Sequence, residues 1–190
     1  MHRRSLRVLS GCLGVAALAA TMAVQAYNDV QNGDFETGDF TGWTQFGDTT
    51  FTGVDTFAPQ AGTYAAYFGP TSPGGIDQTI ATSPGQGYVV SFWLQTEADV
   101  NGVATPNFFE FNWDGGPAEL TIVNAPASPY TQYSFRLVAS SSSTDLRFTF
   151  SDTPAFLDFD SVSVIPEPGS LALLGLAGGI AALARRRRAA

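Results

Sequence analysis

The chain has 190 residues, and its charge is uneven: sixteen of the seventeen acidic residues lie in the segment 27–165, which holds only two of the nine basic residues, Arg136 and Arg147. A surface this acidic repels phosphate backbones and anionic lipid, which argues against nucleic-acid binding and peripheral membrane docking. The single histidine (His2) and the single cysteine (Cys12) precede this segment. The segment therefore lacks disulfides, the usual zinc and copper ligands, and the imidazole that Ser-His-Asp and Cys-His mechanisms require.

The N-terminus has the three parts of a secretory signal. Arg3, Arg4 and Arg7 form a charged start, residues 13–24 are apolar, and the small-residue pattern ends at Ala26. Such an order predicts a signal peptide at 1–26 and export across the inner membrane.

The sequence of the following segment predicts one all-β domain at residues 27–163. Short alternating runs rich in Thr, Val, Phe and Tyr are separated by clusters of Gly, Pro, Asn and Asp. Nine such runs predict strands at 50–57, 64–68, 76–81, 88–95, 107–113, 119–123, 132–139, 145–151 and 155–164. They indicate an antiparallel two-sheet jelly-roll β-sandwich. All twenty-four aromatic residues of the chain lie in this segment and supply an adequate core.

Alternation also predicts which side chains face the core and which face outward. The core-facing set is Tyr88, Val90, Phe92, Leu94, Phe109, Phe111, Trp113, Tyr133, Phe135, Leu137, Leu146, Phe148 and Phe150. Two outward pairs suit sugar recognition, which combines aromatic rings with planar polar side chains: Trp93 with Gln95, and Glu110 with Asn112. An alternative for Trp93 is burial under a loop such as 99–106.

The last residues form a three-part tail. Pro166, Glu167 and Pro168 are followed by an apolar run at 171–184, which is short for a permanent membrane span, and then by Arg185, Arg186, Arg187 and Arg188. The prolines hold the chain extended and accessible, and the four arginines act as a cytoplasmic stop. The segment 164–190 resembles a PEP-CTERM sorting signal.

That resemblance implies a partner and a route. An exosortase, a membrane protease, cuts near the motif after the apolar helix has held the protein transiently in the inner membrane. The protein then reaches the cell surface or the extracellular space, and such proteins commonly accompany extracellular polysaccharide production. The alternative is an ordinary C-terminal anchor helix.

A second resemblance covers the domain. Four segments in order are similar to carbohydrate-binding modules of the jelly-roll type: the opening 30–36 with Gly42 and Trp43, the strand at 61–66, the strand at 87–93, and the closing 159–164. In such modules the first and last strands often share a structural Ca²⁺, which the resemblance assigns to Glu36 and Asp160. Ser161 stands where the family usually has a second aspartate. The alternative is that Glu36 and Asp160 serve only a turn and a β-bulge.

Three functions follow from these observations. We expect an exosortase-sorted surface or matrix protein that is not catalytic and associates with extracellular polysaccharide. One alternative is a structural surface protein without a specific ligand. The other is a polysaccharide-active enzyme, which would have to work with carboxylates alone. No strand shows the clustered acids of jelly-roll glucanases, so no catalytic residue is assigned.

Overall fold

The computed structural model describes residues 27–167, which form ten β-strands. They are β1 (Thr44–Gly47), β2 (Thr52–Asp55), β3 (Ala65–Phe68), β4 (Gly74–Ala81), β5 (Gly87–Thr96), β6 (Asn107–Trp113), β7 (Ala118–Val123), β8 (Ser128–Val138), β9 (Ser143–Asp152) and β10 (Leu157–Pro166). This part of the chain contains no helix, and hence none that could cross a membrane. The predicted signal peptide at 1–26 lies outside the described residues, as does everything after residue 167.

The strands form two five-stranded antiparallel sheets. Sheet A has the order β1-β4-β9-β6-β7, and sheet B has the order β2-β3-β10-β5-β8. Most neighbours come from distant parts of the chain; β10, for example, pairs with both β3 and β5. The predicted two-sheet antiparallel jelly-roll is confirmed.

The core between the sheets is largely aromatic. The ring centroid of Phe92 on sheet B lies 5.3 Å from that of Phe148 and 5.5 Å from that of Phe111, both on sheet A. Such pairs contribute about 0.5–1.5 kcal/mol each beyond the burial of their area. The predicted core residues on β5, β6 and β9 are at most 5% exposed, and those on β8 are partly buried against the same core.

Most strand boundaries differ from the prediction by one or two residues; β9, for example, spans Ser143–Asp152 and β10 spans Leu157–Pro166. The four-residue β1 was not predicted, because it is short and mostly exposed and shows no apolar alternation. The strand forms because its backbone pairs with β4, and the local sequence alone gives no signal for it. β8 begins at Ser128, four residues before the predicted start, and β2 covers only the middle of its predicted run.

Candidate functional site

The four residues predicted to bind sugar face outward in two separate pairs. Trp93 and Gln95 lie on β5 and half-exposed on the outer face of sheet B. Glu110 and Asn112 lie on β6 and half-exposed on the outer face of sheet A. The sandwich core separates the two pairs, so no single shallow site can use all four side chains.

On sheet A, three polar side chains form a row across adjacent strands. Arg147 on β9 pairs in register with Asp77 on β4 and with Asn112 on β6. The next row sets Thr149 beside Glu110. The Nη1 atom of Arg147 lies 4.0 Å from Oδ1 of Asp77, and the Arg147 side chain is 44% exposed. The guanidinium group of Arg147, the carboxylate of Asp77 and the amide of Asn112 therefore lie side by side on the outer face of sheet A, where they can donate and accept hydrogen bonds.

Aromatic rings border this row. The guanidinium carbon of Arg147 lies 3.5 Å from the centroid of the Phe46 ring on β1. Gly75 pairs with Phe46, and a Cβ atom there would collide with the carbonyl oxygen of Phe148 and lie 3.1 Å from the Phe46 ring, so this position requires glycine. We call this surface the Arg147 face; its residues are Phe46, Asp77, Phe108, Glu110, Asn112 and Arg147. Glu110 and Asn112 were predicted from the sequence, but Phe46, Asp77 and Arg147 join them only through long-range strand pairing.

On sheet B, a loop is fastened across the outer face. The hydroxyl of Tyr130 donates to the carbonyl of Ala58 at 2.7 Å. Oδ2 of Asp160 accepts from the backbone N–H groups of Gln60 at 2.9 Å and Ala61 at 3.1 Å. Asp160 pairs in register with Trp93. The loop held beside Trp93 is thus 56–62.

The loop suggested from the sequence, 99–106, is held differently. Asp99 closes its first part into a turn by accepting from the N–H groups of Asn101 and Val103. A bridge between Ala98 and Ala104 completes that turn.

At one end of the outer face of sheet B lies a cleft of about 430 Å³, which we call the acidic cleft. Its lining residues are Asp55, Phe57, Tyr67, Glu97, Phe156 and Asp158. Burial, and after it the charge and hydrogen bond of Glu97, raises the pKa of Asp158 to about 8. Burial likewise raises the pKa of Glu97. The sequence prediction missed this cleft, although Glu97 continues the outward alternation of Trp93 and Gln95 beyond the end of β5.

The two residues assigned to calcium hold opposite ends of one loop. Oε1 of Glu36 accepts from the N–H groups of Thr63 at 2.7 Å and Tyr64 at 2.9 Å, while Asp160 holds the N–H groups of residues 60 and 61. Hydrogen bonds from Tyr64 and Thr63 lower the pKa of the exposed Glu36. Burial raises the pKa of Asp160, against the opposing effect of its backbone hydrogen bonds.

The 60–64 loop contacts both carboxylates through backbone N–H groups, which are not calcium ligands. Ca²⁺ accepts carboxylate, amide and backbone carbonyl oxygens together with water. No three acidic side chains of residues 27–167 are grouped closely enough to hold a metal ion by themselves. Glu36 and Asp160 would therefore need oxygens from the 60–64 loop and from water. Ser161 adopts a φ of +55° and donates its N–H to Asp160, just where a β-bulge interrupts the pairing of β10 with β5.

The first two residues of the sorting motif are part of the sandwich. Pro166 ends β10, and the N–H of Glu167 donates to the carbonyl of Gly87 at 2.8 Å. Nη1 of Arg136 lies 3.1 Å from Oε1 of Glu167. These residues are extended, as expected, but they are docked on the domain rather than freely accessible. Pro168 and the four arginines from 185 to 188 lie outside the described residues.

Comparison with known proteins gives one family match. Residues 164–188 match the model of the PEP-CTERM protein-sorting motif. The chain carries this motif, which indicates an exported protein that is sorted to the cell surface. No curated protein matches the chain.

Solved structures share the fold at low sequence identity. The module TmCBM61, solved in complex with β-1,4-galactotriose, is 17% identical with a TM-score of 0.60, over 74% of this chain and 99% of its own. The CBM22-1 xylan-binding domain of Xyn10C from Paenibacillus barcinonensis is 16% identical, with a TM-score of 0.52. The match covers 70% of this chain and 91% of that domain. The K3 cleaved adhesin domain of Lys-gingipain from Porphyromonas gingivalis is also 16% identical, with a TM-score of 0.51, over 73% and 99%. The fold is that of carbohydrate-binding modules, and an adhesin domain shares it.

Proposed function

We propose that this chain is an exported, non-catalytic surface protein that binds a neutral polysaccharide through the Arg147 face. The observation that carries the proposal is the row of Asp77, Arg147 and Asn112 across three adjacent strands. It is supported by the fold, which is shared with sugar-binding modules. A neutral ligand suits a domain whose excess of acidic residues repels anionic polymers.

The side chains of this face match what sugar hydroxyls require. Arg147 donates, the carboxylates of Asp77 and Glu110 accept, and the amide of Asn112 does both. The ring of Phe108, two residues before Glu110 on the same strand face, offers an apolar surface to the C–H groups of a pyranose. Contact with Phe46 holds the Arg147 guanidinium in place, which reduces the conformational entropy lost on binding.

The pair Trp93 and Gln95 is the competing surface for the same function. Trp93 lies beside the fastened 56–62 loop, and this reduces the flat area that it offers to a sugar ring. The prediction of sugar binding by Trp93 stays open until both faces are compared directly.

A binding experiment separates the two faces. The full chain in mild detergent is titrated with neutral oligosaccharides, beginning with β-1,4-galactan and xylan fragments. We expect Arg147→Ala to weaken binding roughly tenfold or more, as for loss of charge-assisted hydrogen bonds, and Trp93→Ala to leave it unchanged. The reverse pattern would assign binding to Trp93. Absence of binding across the panel would favour a structural protein without a ligand, and release of reducing ends would indicate an enzyme.

For the sorting tail we propose processing by an exosortase while the apolar helix is transiently held in the inner membrane. The match over residues 164–188 supports this step. Cleavage would require the protease to gain access to a motif whose Glu167 is docked on the domain through Arg136 and Gly87. Arg136→Ala should therefore speed the appearance of processed protein. Mass spectrometry of the intact protein recovered from the native cell surface tests the cleavage. A mass that includes residues 171–190 would contradict processing.

We further propose that one Ca²⁺ lies between Glu36 and Asp160. The support is that both carboxylates, from the first segment and the last strand, reach the same 60–64 loop. The ion would tie the two ends of the domain together through that loop.

A further inference from the structure

The acidic cleft is built by four neighbouring strands of sheet B, on the side of the sandwich opposite the Arg147 face. Asp55 ends β2, Tyr67 lies on β3, Asp158 lies on β10, and Glu97 directly follows β5. The sheet order β2-β3-β10-β5 brings these side chains together. The strands supply Asp55, Tyr67 and Asp158, and the segments next to the strands supply the other three lining residues, Phe57, Glu97 and Phe156.

One carboxyl group in this cleft has neither a cationic partner nor an N–H donor. Asp158 is only 4% exposed, and its Oδ2 atom accepts no hydrogen bond from an N–H or hydroxyl group of the described residues; the group that shares a hydrogen bond with Asp158 is another acid, Glu97. Its neighbours Glu97 and Asp55 are also acidic. A buried carboxylate normally has a cationic or hydrogen-bonding partner, because the loss of hydration is otherwise uncompensated.

No arginine of the sandwich supplies that partner. The two arginines between residues 27 and 167 are engaged elsewhere: Arg136 is paired with Glu167, and Arg147 lies on sheet A next to Asp77. A ligand with a cationic group would supply the partner that the described residues do not.

The walls of the cleft favour an organic cation over a metal ion. Phe57 is 84% exposed, and Tyr67 and Phe156 form an edge-to-face pair with ring centroids 5.5 Å apart. Aromatic faces attract organic ammonium groups and pack against the carbon skeleton that carries them. Metal ions need more oxygen ligands, and the acidic side chains described here form no group of three suited to a metal. The volume of about 430 Å³ is in the range of small-ligand sites.

We propose that the acidic cleft binds a protonated amino-sugar residue of a cationic polysaccharide, with its ammonium group on Asp158 and Glu97 and its ring against Phe57. The ammonium group supplies donors to Oδ2 of Asp158, and the adjacent Glu97 shares the charge. The choice of a sugar over another amine rests on the proposed polysaccharide function. The cleft is nevertheless a separate site from the Arg147 face.

The test compares two ligands that differ only in charge. Glucosamine tetramer and its fully N-acetylated counterpart are titrated against the full chain in mild detergent. We expect the tetramer with free amines to bind and the acetylated one to bind at least roughly tenfold more weakly, since acetylation removes the charge-assisted hydrogen bonds. Equal binding of the two tetramers, or none by either, overturns the proposal.

Variants locate the binding. Asp158→Asn removes the charge at almost the same volume and should lower the affinity for the free-amine tetramer roughly tenfold or more. Phe57→Ala, at an exposed position that folding does not need, should also weaken it, which keeps the test decisive should the Asp158 variant misfold. Glu119→Gln is the matched control, since it removes one negative charge from an exposed position on sheet A, and it should leave this affinity unchanged. The effect of Arg147→Ala on neutral oligosaccharides shows separately whether the proposed function itself fails.

Two competitors exclude other occupants. Ca²⁺ alone should not displace the tetramer, and a lysine-rich peptide should not compete at equal amine concentration. Displacement by Ca²⁺ would make the cleft a metal site. Equal competition by the peptide would make its partner a protein, and either result overturns the proposal.

Discussion

Arg147 and Phe46 are distant in the chain, yet the guanidinium carbon of Arg147 lies 3.5 Å from the centroid of the Phe46 ring. The contact joins β9 to the edge strand β1 across the intervening β4 and places the guanidinium beside Asp77. A planar group held at this position can present two parallel N–H donors to a ligand.

Arg147→Lys tests the need for that planar group. Lysine keeps the positive charge but lacks the planar pair of N–H donors of a guanidinium group, and it packs less well on the Phe46 ring. The affinity for the best neutral oligosaccharide should therefore fall several-fold or more. The melting temperature should hardly change, because an exposed ion pair contributes only about 0–1 kcal/mol. Calorimetric titration and thermal unfolding measure the two effects. Wild-type affinity in the lysine variant would show that charge alone suffices.

The loop that Glu36 and Asp160 hold should be sensitive at Gly62. This glycine has a φ of +69°, and a Cβ atom there would collide with the Glu36 carboxylate. Gly115→Ala is the matched control, since Gly115 has a φ of +66° with nothing within 4 Å. The control should lose about 1–2 kcal/mol for the backbone conformation alone. Gly62→Ala should lose clearly more in denaturant unfolding, and equal losses would mean that the Glu36 contact adds nothing.

The proposed calcium ion should appear as a stability effect. A ligand that binds only the folded state raises the free energy of unfolding in proportion to the logarithm of its concentration above Kd. Chelator should therefore lower the melting temperature of the wild type and do little to Asp160→Ala. An unchanged wild-type melting temperature in chelator would show that no Ca²⁺ stabilises the domain. Glu36 and Asp160 would then serve only as hydrogen-bond acceptors for the backbone N–H groups of the loop.

Stability should be greatest in mildly acidic solution. Asp152 is 1% exposed, and its Oδ1 accepts from the Thr105 hydroxyl at 2.5 Å, while Oδ2 has no donor among the described residues. Burial raises the pKa of Asp152. The folded state thus holds the proton more tightly, so this stabilisation is present below the unfolded pKa of about 4 and is lost as the pH rises through the folded value.

Other carboxylates determine how far the pH can fall before the domain loses stability. Hydrogen bonds lower the pKa of Glu36, Asp39 and Asp99, so their stabilisation is present above the unfolded value and is lost as the pH falls through the folded one. In thermal unfolding from pH 3 to 8, Asp152→Asn should flatten the decline towards neutral pH. Glu119→Gln removes the same charge from an exposed position and should not. Parallel curves for both variants would contradict the assignment to Asp152.

The sequence could predict the features that repeat along one strand. Alternation on β5 identified Tyr88, Val90, Phe92 and Leu94 as core residues, because burial on one face follows directly from the two-residue period. It also gave the outward direction of Trp93.

What the sequence could not predict depends on which strands become neighbours. Phe46 lies on a strand too short to show a pattern, and its role comes from β1 pairing with β4. Glu97 and Asp158 meet because β10 lies beside β5, although neither residue has a local signal. The docking of Glu167 similarly depends on Arg136 in β8, a distant strand of the same sheet.

Binding of a neutral sugar on sheet A should be visible in the backbone amide chemical shifts of the domain. On titration with the best neutral oligosaccharide, we expect the largest shift changes at residues 46, 77, 108–112 and 147. The amides of residues 93–95 and 56–62 on sheet B should remain nearly unchanged. Shift changes concentrated on sheet B, with no change on the Arg147 face, would show that the sugar is not bound on sheet A.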